Sequence, residues 1–200
     1  MKKLCTILAI IIMGTTTKVQ AAENNEQIPT KSWNIFSEEG RNYILSRAKY
    51  NFSETWKSDS YDAYIPLYAW HNRLTYDQEH IDKYNENPWG FGIGKYRYDE
   101  DGDWHGLYAM AFKDSNDYLE TMFGYAYQKN WFVNCNRDFR IGAGFTVGLT
   151  QRHEYKYIPV PLPLPLAGLE YGRFALQAAY VPGLKNDGNV LFTWMRFRIN

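Results

Sequence analysis

Ile141-Gly142-Ala143-Gly144-Phe145-Thr146-Val147-Gly148-Leu149 is the stretch that decides the fold. Its odd positions are all apolar, and its even positions are three glycines and a threonine. Successive side chains of a strand point to opposite faces, so one face of this strand is apolar and the other nearly bare. The interior of a small soluble barrel must be filled by side chains, which is the reverse of this arrangement. Bulk on one face and glycine on the other suits a barrel whose outside meets lipid and whose inside leaves space. The same parity sets Gly90, Gly92 and Gly94 against Phe91 and Ile93, and Gly124 and Ala126 against Phe123, Tyr125 and Tyr127.

Outward from that stretch, segments of strand length alternate with turn signals. The expected strands are 61–71, 88–98, 104–113, 119–132, 138–150, 153–158, 168–182 and 189–199. The breaks include Asp99-Glu100-Asp101-Gly102, Asp114-Ser115-Asn116-Asp117, Asn134-Cys135-Asn136 and Lys185-Asn186-Asp187-Gly188, the chemistry that tight hairpins need. An even strand number is what single-chain outer-membrane barrels have. The predicted fold is therefore all-β: an eight-stranded antiparallel transmembrane β-barrel with an N-terminal amphipathic helix. The 17 Tyr, 11 Phe and 7 Trp fit it, because rings with one apolar and one wet end suit membrane interfaces.

Residues 1–21 read as a signal peptide: Lys2 and Lys3, an apolar run Leu4 to Met13, then Val19-Gln20-Ala21 as a small-residue cleavage site. Its removal takes Cys5 and leaves Cys135, which excludes an intramolecular disulfide. Residues 22–60 form a polar tail and the helix, where Ser37-Glu38-Glu39 offers an N-cap and Tyr43, Ile44, Ala48, Phe52 and Trp56 recur at helical spacing. The helix either packs on a core or lies in the membrane interface. Residues 61–200 form the barrel. No other apolar run has the roughly 18 residues of a membrane-spanning helix.

Formal charge is zero, with 22 basic and 22 acidic residues and no basic stripe, so nucleic acid is not expected as a partner. No cofactor or metal is expected either. His80, His105 and His153, placed at rims or turns, match no metal spacing with Cys135, and Gly90-x-Gly92-x-Gly94 lacks the helix of a dinucleotide loop.

The prolines carry a further signal. Pro159, Pro161, Pro163 and Pro165 alternate with apolar residues, Pro66 and Pro88 flank one strand pair, and Pro165 and Pro182 flank another. Proline has no amide donor, so the ladder must be interrupted beside it. Two such breaks would be gaps in the wall through which a lipid could pass sideways. His71 stands where an apolar strand gives way to a polar loop, a place for a titratable catalytic group.

These residues also carry a resemblance. Tyr64-Ile65-Pro66, Trp70-His71, Asp82-Lys83-Tyr84-Asn85-Glu86, Pro88-Trp89-Gly90, the run Trp104 to Ser115, Gly144-Phe145-Thr146, Tyr157-Ile158-Pro159 and Trp194-Met195-Arg196-Phe197 resemble the PagP family. Its members are outer-membrane enzymes that transfer a palmitoyl chain from a phospholipid to lipid A. The resemblance implies a barrel with a periplasmic helix, in the outer membrane of a Gram-negative bacterium, with catalytic residues His71, Asp114 and Ser115 facing the extracellular side. It implies that Pro66/Pro88 and Pro165/Pro182 form lateral gates. It implies a phospholipid donor, a lipid A or lipopolysaccharide acceptor, and a monomer or weak homodimer.

In the acyl transfer so implied, His71 is the general base. Ser115 is a nucleophile or a positioning group, and Asp114 orients the imidazole or another loop group. Ala126 would form the floor of an acyl-measuring pocket, where the best-known member carries glycine, so an acyl preference shorter by roughly one methylene, or a weakened one, is expected. On turn statistics alone, Asp114-Ser115-Asn116 reads as a turn. The alternative function is a non-catalytic outer-membrane barrel serving adhesion or membrane integrity, which would need neither broken walls nor a glycine-lined interior.

Overall fold

The computed structural model describes residues 37–136 and 138–200. The expected signal peptide and most of the polar tail lie outside the described residues. Helix α1 is Glu38–Lys57. Ser37 caps it as expected, its hydroxyl accepting from Gly40 N at 3.0 Å. Glu38 and Glu39 in the first turn and Lys57 in the last complement the helix dipole. Its C-terminal half is tied to the strand region, Arg97 donating to Asn51 Oδ1 at 2.8 Å and Lys95 to the Trp56 carbonyl at 2.9 Å. Phe52 and Trp56 stack on each other and stay exposed.

Eight antiparallel strands close into a barrel in sequence order. They are β1 Tyr61–His71, β2 Gly90–Tyr98, β3 Trp104–Lys113, β4 Leu119–Phe132, β5 Phe139–Gln151, β6 Val160–Tyr171, β7 Phe174–Val181 and β8 Val190–Arg198. β1 pairs β8 from Asp62↔Arg198 to His71↔Val190, so no sheet edge is left open between the ends of the chain. The parity of β5 is as expected: Ile141, Phe145, Val147 and Leu149 are exposed, whereas Thr146 and Thr150 are buried. Outward apolar residues and an inward face of small and polar ones are what lipid outside requires.

The proline run corrects two of the expected strands. Residues 153–158 form a 3₁₀ turn, His153–Tyr155, followed by Lys156 and Tyr157 at φ 53° and 59°. The strand is Val160–Tyr171 instead. The expected 168–182 strand is two elements, the end of β6 and all of β7, joined at Gly172, where φ is 56°. Proline at every second position leaves the alternate residues free to pair, so the run is compatible with a strand that bonds on one edge only. The loop after β1 also holds a short helix, α2, Gln78–Lys83.

That one-edged pairing is observed. β6 pairs with β5 along Val160 to Tyr171, including Pro161↔Leu149, Pro163↔Val147 and Pro165↔Phe145. Its ladder with β7 covers only Leu166↔Ala179 to Tyr171↔Phe174. The prolines share one parity, so their missing donors lie on one edge, and that is the edge without a partner. A second short ladder joins β1 to β2, from Tyr61↔Lys95 to Tyr64↔Gly92. It stops before Pro66, where the β1–β8 register also shifts.

Inside, the barrel changes character along its length. Toward the end where β1 finishes lie Met110, Phe112, Met122 and Leu164, with Tyr64, Tyr108 and Ala126 below. Beyond Ala126 the lining becomes polar. Trp194 Nε1 donates to Gln177, Gln177 to Gln128, and Gln128 to Asn130, at 3.1, 3.0 and 2.8 Å. Arg196, 1% exposed, bridges Asp62 at 3.0 Å and Glu170 at 2.8 Å. The ion pairs offset most of the cost of burying these charges, while Asp62 Oδ1, Arg196 Nε and Trp104 Nε1 are buried without a hydrogen-bond partner.

Candidate active site

His71 ends β1 and is 2% exposed. Ser115 lies in the turn between β3 and β4, with its Oγ 3.1 Å from His71 Nε2. The far side of the ring meets a residue that spacing alone did not select. Glu86 Oε1 is 3.0 Å from His71 Nδ1 and accepts His71 N at 3.0 Å. A carboxylate can only accept, so Nδ1 carries the proton, Nε2 presents its lone pair, and the Ser115 hydroxyl donates to it. Serine, imidazole and carboxylate thus form a continuous relay. Tyr84 stacks on the imidazole at 4.8 Å and Tyr76 meets it edge-on at 5.0 Å, fixing the plane of the ring.

Glu86 is itself held by four groups. Besides the two from His71, Arg73 donates through both terminal nitrogens at 2.5 and 2.7 Å, and the Tyr68 hydroxyl donates at 2.5 Å. The Arg73 guanidinium holds the Glu86 carboxyl well below the usual carboxylate range, so it stays ionised wherever the imidazole titrates. Burial pushes the Tyr76 phenol up to about 12, leaving it neutral beside the ring.

Asp114 does not touch the imidazole. Its Oδ1 accepts from Asn116 N at 2.8 Å and Tyr118 N at 3.0 Å, and Asp117 takes φ 65°. Asp114 therefore builds the hairpin that presents Ser115, which is the turn reading, and it does not orient the imidazole. Its Oδ2 is buried and lies 3.9 Å from Arg152 Nη2. The loop after β1 locks the hairpin in place, since Asn85 N donates to the Ser115 carbonyl at 2.9 Å and Asn85 Nδ2 to Asp117 at 2.8 Å. Adjacent residues Asn85 and Glu86 thus hold the two halves of the site together.

With that geometry in hand, comparison with known proteins gives a consistent answer. The family model described as "Antimicrobial peptide resistance and lipid A acylation protein PagP" matches residues 51–196. The chain belongs to the PagP family. A lipid A acyltransferase PagP of Proteus mirabilis is 52% identical over 185 residues, 92% of this chain and 82% of that one. The Photorhabdus laumondii lipid A acyltransferase PagP is 47% identical over 198 residues, 97% of this chain and 96% of its own. The Yersinia enterocolitica one is 56% identical over 155 residues, 78% and 76% of the two chains. Among solved structures, the Yersinia pestis outer membrane protein Ail covers 70% of this chain and 99% of its own, at TM-score 0.38 and 12% identity.

The other residues singled out for this PagP-family chain fall in three places. Pro66 and Pro88 border the short β1–β2 ladder; continued in register, that ladder would set Pro66 opposite Gly90 and Tyr68 opposite Pro88. Pro165 stands where the β6–β7 ladder stops, and Pro182 directly follows β7. Ala126 points inward, 2% exposed, between Gly106 on β3 and Thr146 on β5.

The remaining histidines divide. His80 lies in α2 and His153 in the 3₁₀ turn. His105 is the second residue of β3, buried at the rim of the barrel away from Ser115. There it contacts the Tyr125 hydroxyl at 2.6 Å and Asp99 at 3.0 Å.

Proposed function

We propose that this protein is an outer-membrane acyltransferase that moves an acyl chain from a phospholipid to a hydroxyl of lipid A, using His71 as base. The observation that carries the reading is the Ser115–His71–Glu86 relay at the rim of a lipid-facing barrel, in a chain whose relatives are named lipid A acyltransferases.

The chemistry follows from the relay. Nε2 accepts the proton of the attacking hydroxyl, and Ser115 shares that edge of the ring and positions the reacting oxygen. The new oxygen–carbon bond forms at the donor's ester carbonyl. The glycerol oxygen leaves and takes the proton back from the imidazolium, giving acylated lipid A and a lysophospholipid. Glu86 stays ionised and stabilises the imidazolium in between. No Gly-x-Ser-x-Gly elbow accompanies Ser115, so the strand–turn–helix elbow of α/β-hydrolases is not what presents this serine.

The two short ladders support lateral entry of both lipids, because a wall without inter-strand bonds can part without breaking any. The apolar interior above Ala126, ended by the Gln128 layer, supports a pocket that measures the chain. Ala126 then sets a shorter preference than glycine would. The relay faces the outer leaflet, where lipid A lies, and the barrel closes on its own strands, so it works as a monomer or weak homodimer. A non-catalytic barrel would have no use for a buried relay.

The test is stoichiometric. Refolded protein in detergent with lipid A and a phospholipid should release one lysophospholipid per acyl group gained by lipid A. Release of free fatty acid in place of that gain would mean hydrolysis and would reject acyl transfer.

A further inference from the structure

We infer that Glu86 is the positioning residue of this site: it fixes the tautomer of His71, and it does so from the edge of β1 that β2 leaves unpaired. The inference rests on the acyl-transfer reading above and adds to it a residue and a role.

The edge is the first observation. The β1–β2 ladder ends at Tyr64↔Gly92, yet β1 continues to His71. Glu86 covers the edge in place of β2, its carbonyl accepting from Ala69 N at 2.9 Å and its carboxylate from His71 N at 3.0 Å. One residue therefore satisfies two backbone donors of β1 beside the proline break and then reaches the imidazole.

The second observation is that, among the described residues, no other carboxylate meets the His71 ring. Asp114 spends Oδ1 on two backbone amides and faces Arg152 with Oδ2. The charged groups facing the His71 ring are Glu86 and Arg73, both from the loop after β1. Tyr76 and Tyr84 of the same loop pack on the ring, and Ser115 meets it from the β3–β4 hairpin.

The third is the directionality of Glu86's contacts. All of them are donors: His71 N, His71 Nδ1, both Arg73 nitrogens and Tyr68. Glu86→Gln keeps the size but has one oxygen for two sets of donors. Arg73 faces both positions, and either placement of the amide costs activity: a nitrogen at Oε2 leaves the imidazolium without its anion, and a nitrogen at Oε1 faces the ring. In the second placement Nδ1 accepts, the proton moves to Nε2, and the base facing Ser115 is lost.

The experiment compares refolded wild type, Glu86→Gln, Glu86→Asp and Arg73→Met by kcat, KM and the pH profile of kcat/KM, with heat-modifiable gel migration as the fold control. Glu86→Gln should lower kcat by about 10²–10⁴-fold, the scale of a triad whose orienting acid is neutralised, with KM changed by less than about threefold. A base works when neutral, so kcat/KM rises with pH through the imidazole's titration. Removing the neighbouring anion favours the neutral ring, so the acid limb of Glu86→Gln should move to lower pH.

Arg73→Met removes a cation and should move that limb to higher pH with a smaller loss of kcat. Glu86→Asp should recover part of the loss, and it carries the test if Glu86→Gln does not fold. Opposite movements of the two limbs cannot come from a loop brace, which would slow both variants without moving either. Glu86→Gln within about threefold of wild type, with an unmoved limb, overturns the inference. Wild type without acyl transfer would overturn the functional reading instead.

Discussion

Replacing Ala126 with glycine is the perturbation that reads the barrel interior most sharply. Ala126 is 2% exposed on the inward parity of β4, and the next inward residue, Gln128, is fully buried and bound to Asn130 and Gln177. An acyl chain entering from the His71 end, as proposed above, would meet Ala126 just before that polar layer. Deleting one methyl there makes room for about one carbon, and a buried CH₂ contributes about 0.8 kcal/mol. Discrimination over a single methylene amounts to about 1–3 kcal/mol, or roughly 10–200-fold.

Ala126→Gly should therefore lengthen the preferred chain by about one carbon and raise use of that chain by at least about tenfold. Ala126→Met should shorten the preference. The assay is competition among phospholipids of graded acyl length, with products resolved by mass spectrometry. Ala143→Gly, on the exposed outward face of β5, is the control. An unchanged profile in a folded Ala126→Gly barrel would place the floor elsewhere and refute the reasoning.

Other substitutions probe the frame. Arg196→Met strands Asp62 as a buried, unpaired carboxylate and leaves Glu170 to the Tyr98 hydroxyl and the more distant Arg140 and Arg198; it should cost about 3–5 kcal/mol, read by urea unfolding in micelles, and adding Asp62→Asn should recover most of it. Changing Pro161, Pro163 and Pro165 together to valine restores three donors on the open edge of β6. Hydrogen exchange should then show the β6–β7 ladder extended while turnover falls; full turnover with an extended ladder would remove this seam from the lipid route. Asp114→Asn keeps an oxygen for the Asn116 and Tyr118 amides, whereas Asp114→Ala leaves them unpaired at about 1–3 kcal/mol. Thermal unfolding should therefore rank the asparagine variant above the alanine one.

The barrel was legible because parity is local. Gly142, Gly144 and Gly148 against Phe145 and Val147 announce which face meets lipid from nine consecutive residues. The proline run was legible in its effect but not in its place. That proline interrupts a ladder is local chemistry, yet which of two neighbouring strands goes unpaired depends on β7, a strand without influence on the composition of residues 159–165. A strand was accordingly expected at 153–158, where the chain instead turns through Lys156 and Tyr157 in the left-handed region.

The site divides in the same way. His71 shows as a histidine at a strand end, and Asp114-Ser115 shows as a turn. Glu86 sits among Asp82, Asn85 and Asn87 in a polar loop, with no periodicity to mark it. Its role appears only when the loop folds back along β1 and sets Glu86 against a residue fifteen positions away. Its signal was Asn85-Glu86 standing just before Pro88, within the resemblance but outside any rule of spacing.

The most direct measurement is mass spectrometry of lipid A after incubation with refolded protein and a phospholipid of mixed acyl chains, run beside His71→Ala and Ser115→Ala. Wild type should add one acyl group to lipid A, and neither variant should, although both remain heat-modifiable barrels. An acyl gain undiminished in His71→Ala would contradict the relay, and no gain from folded wild type would contradict acyl transfer itself.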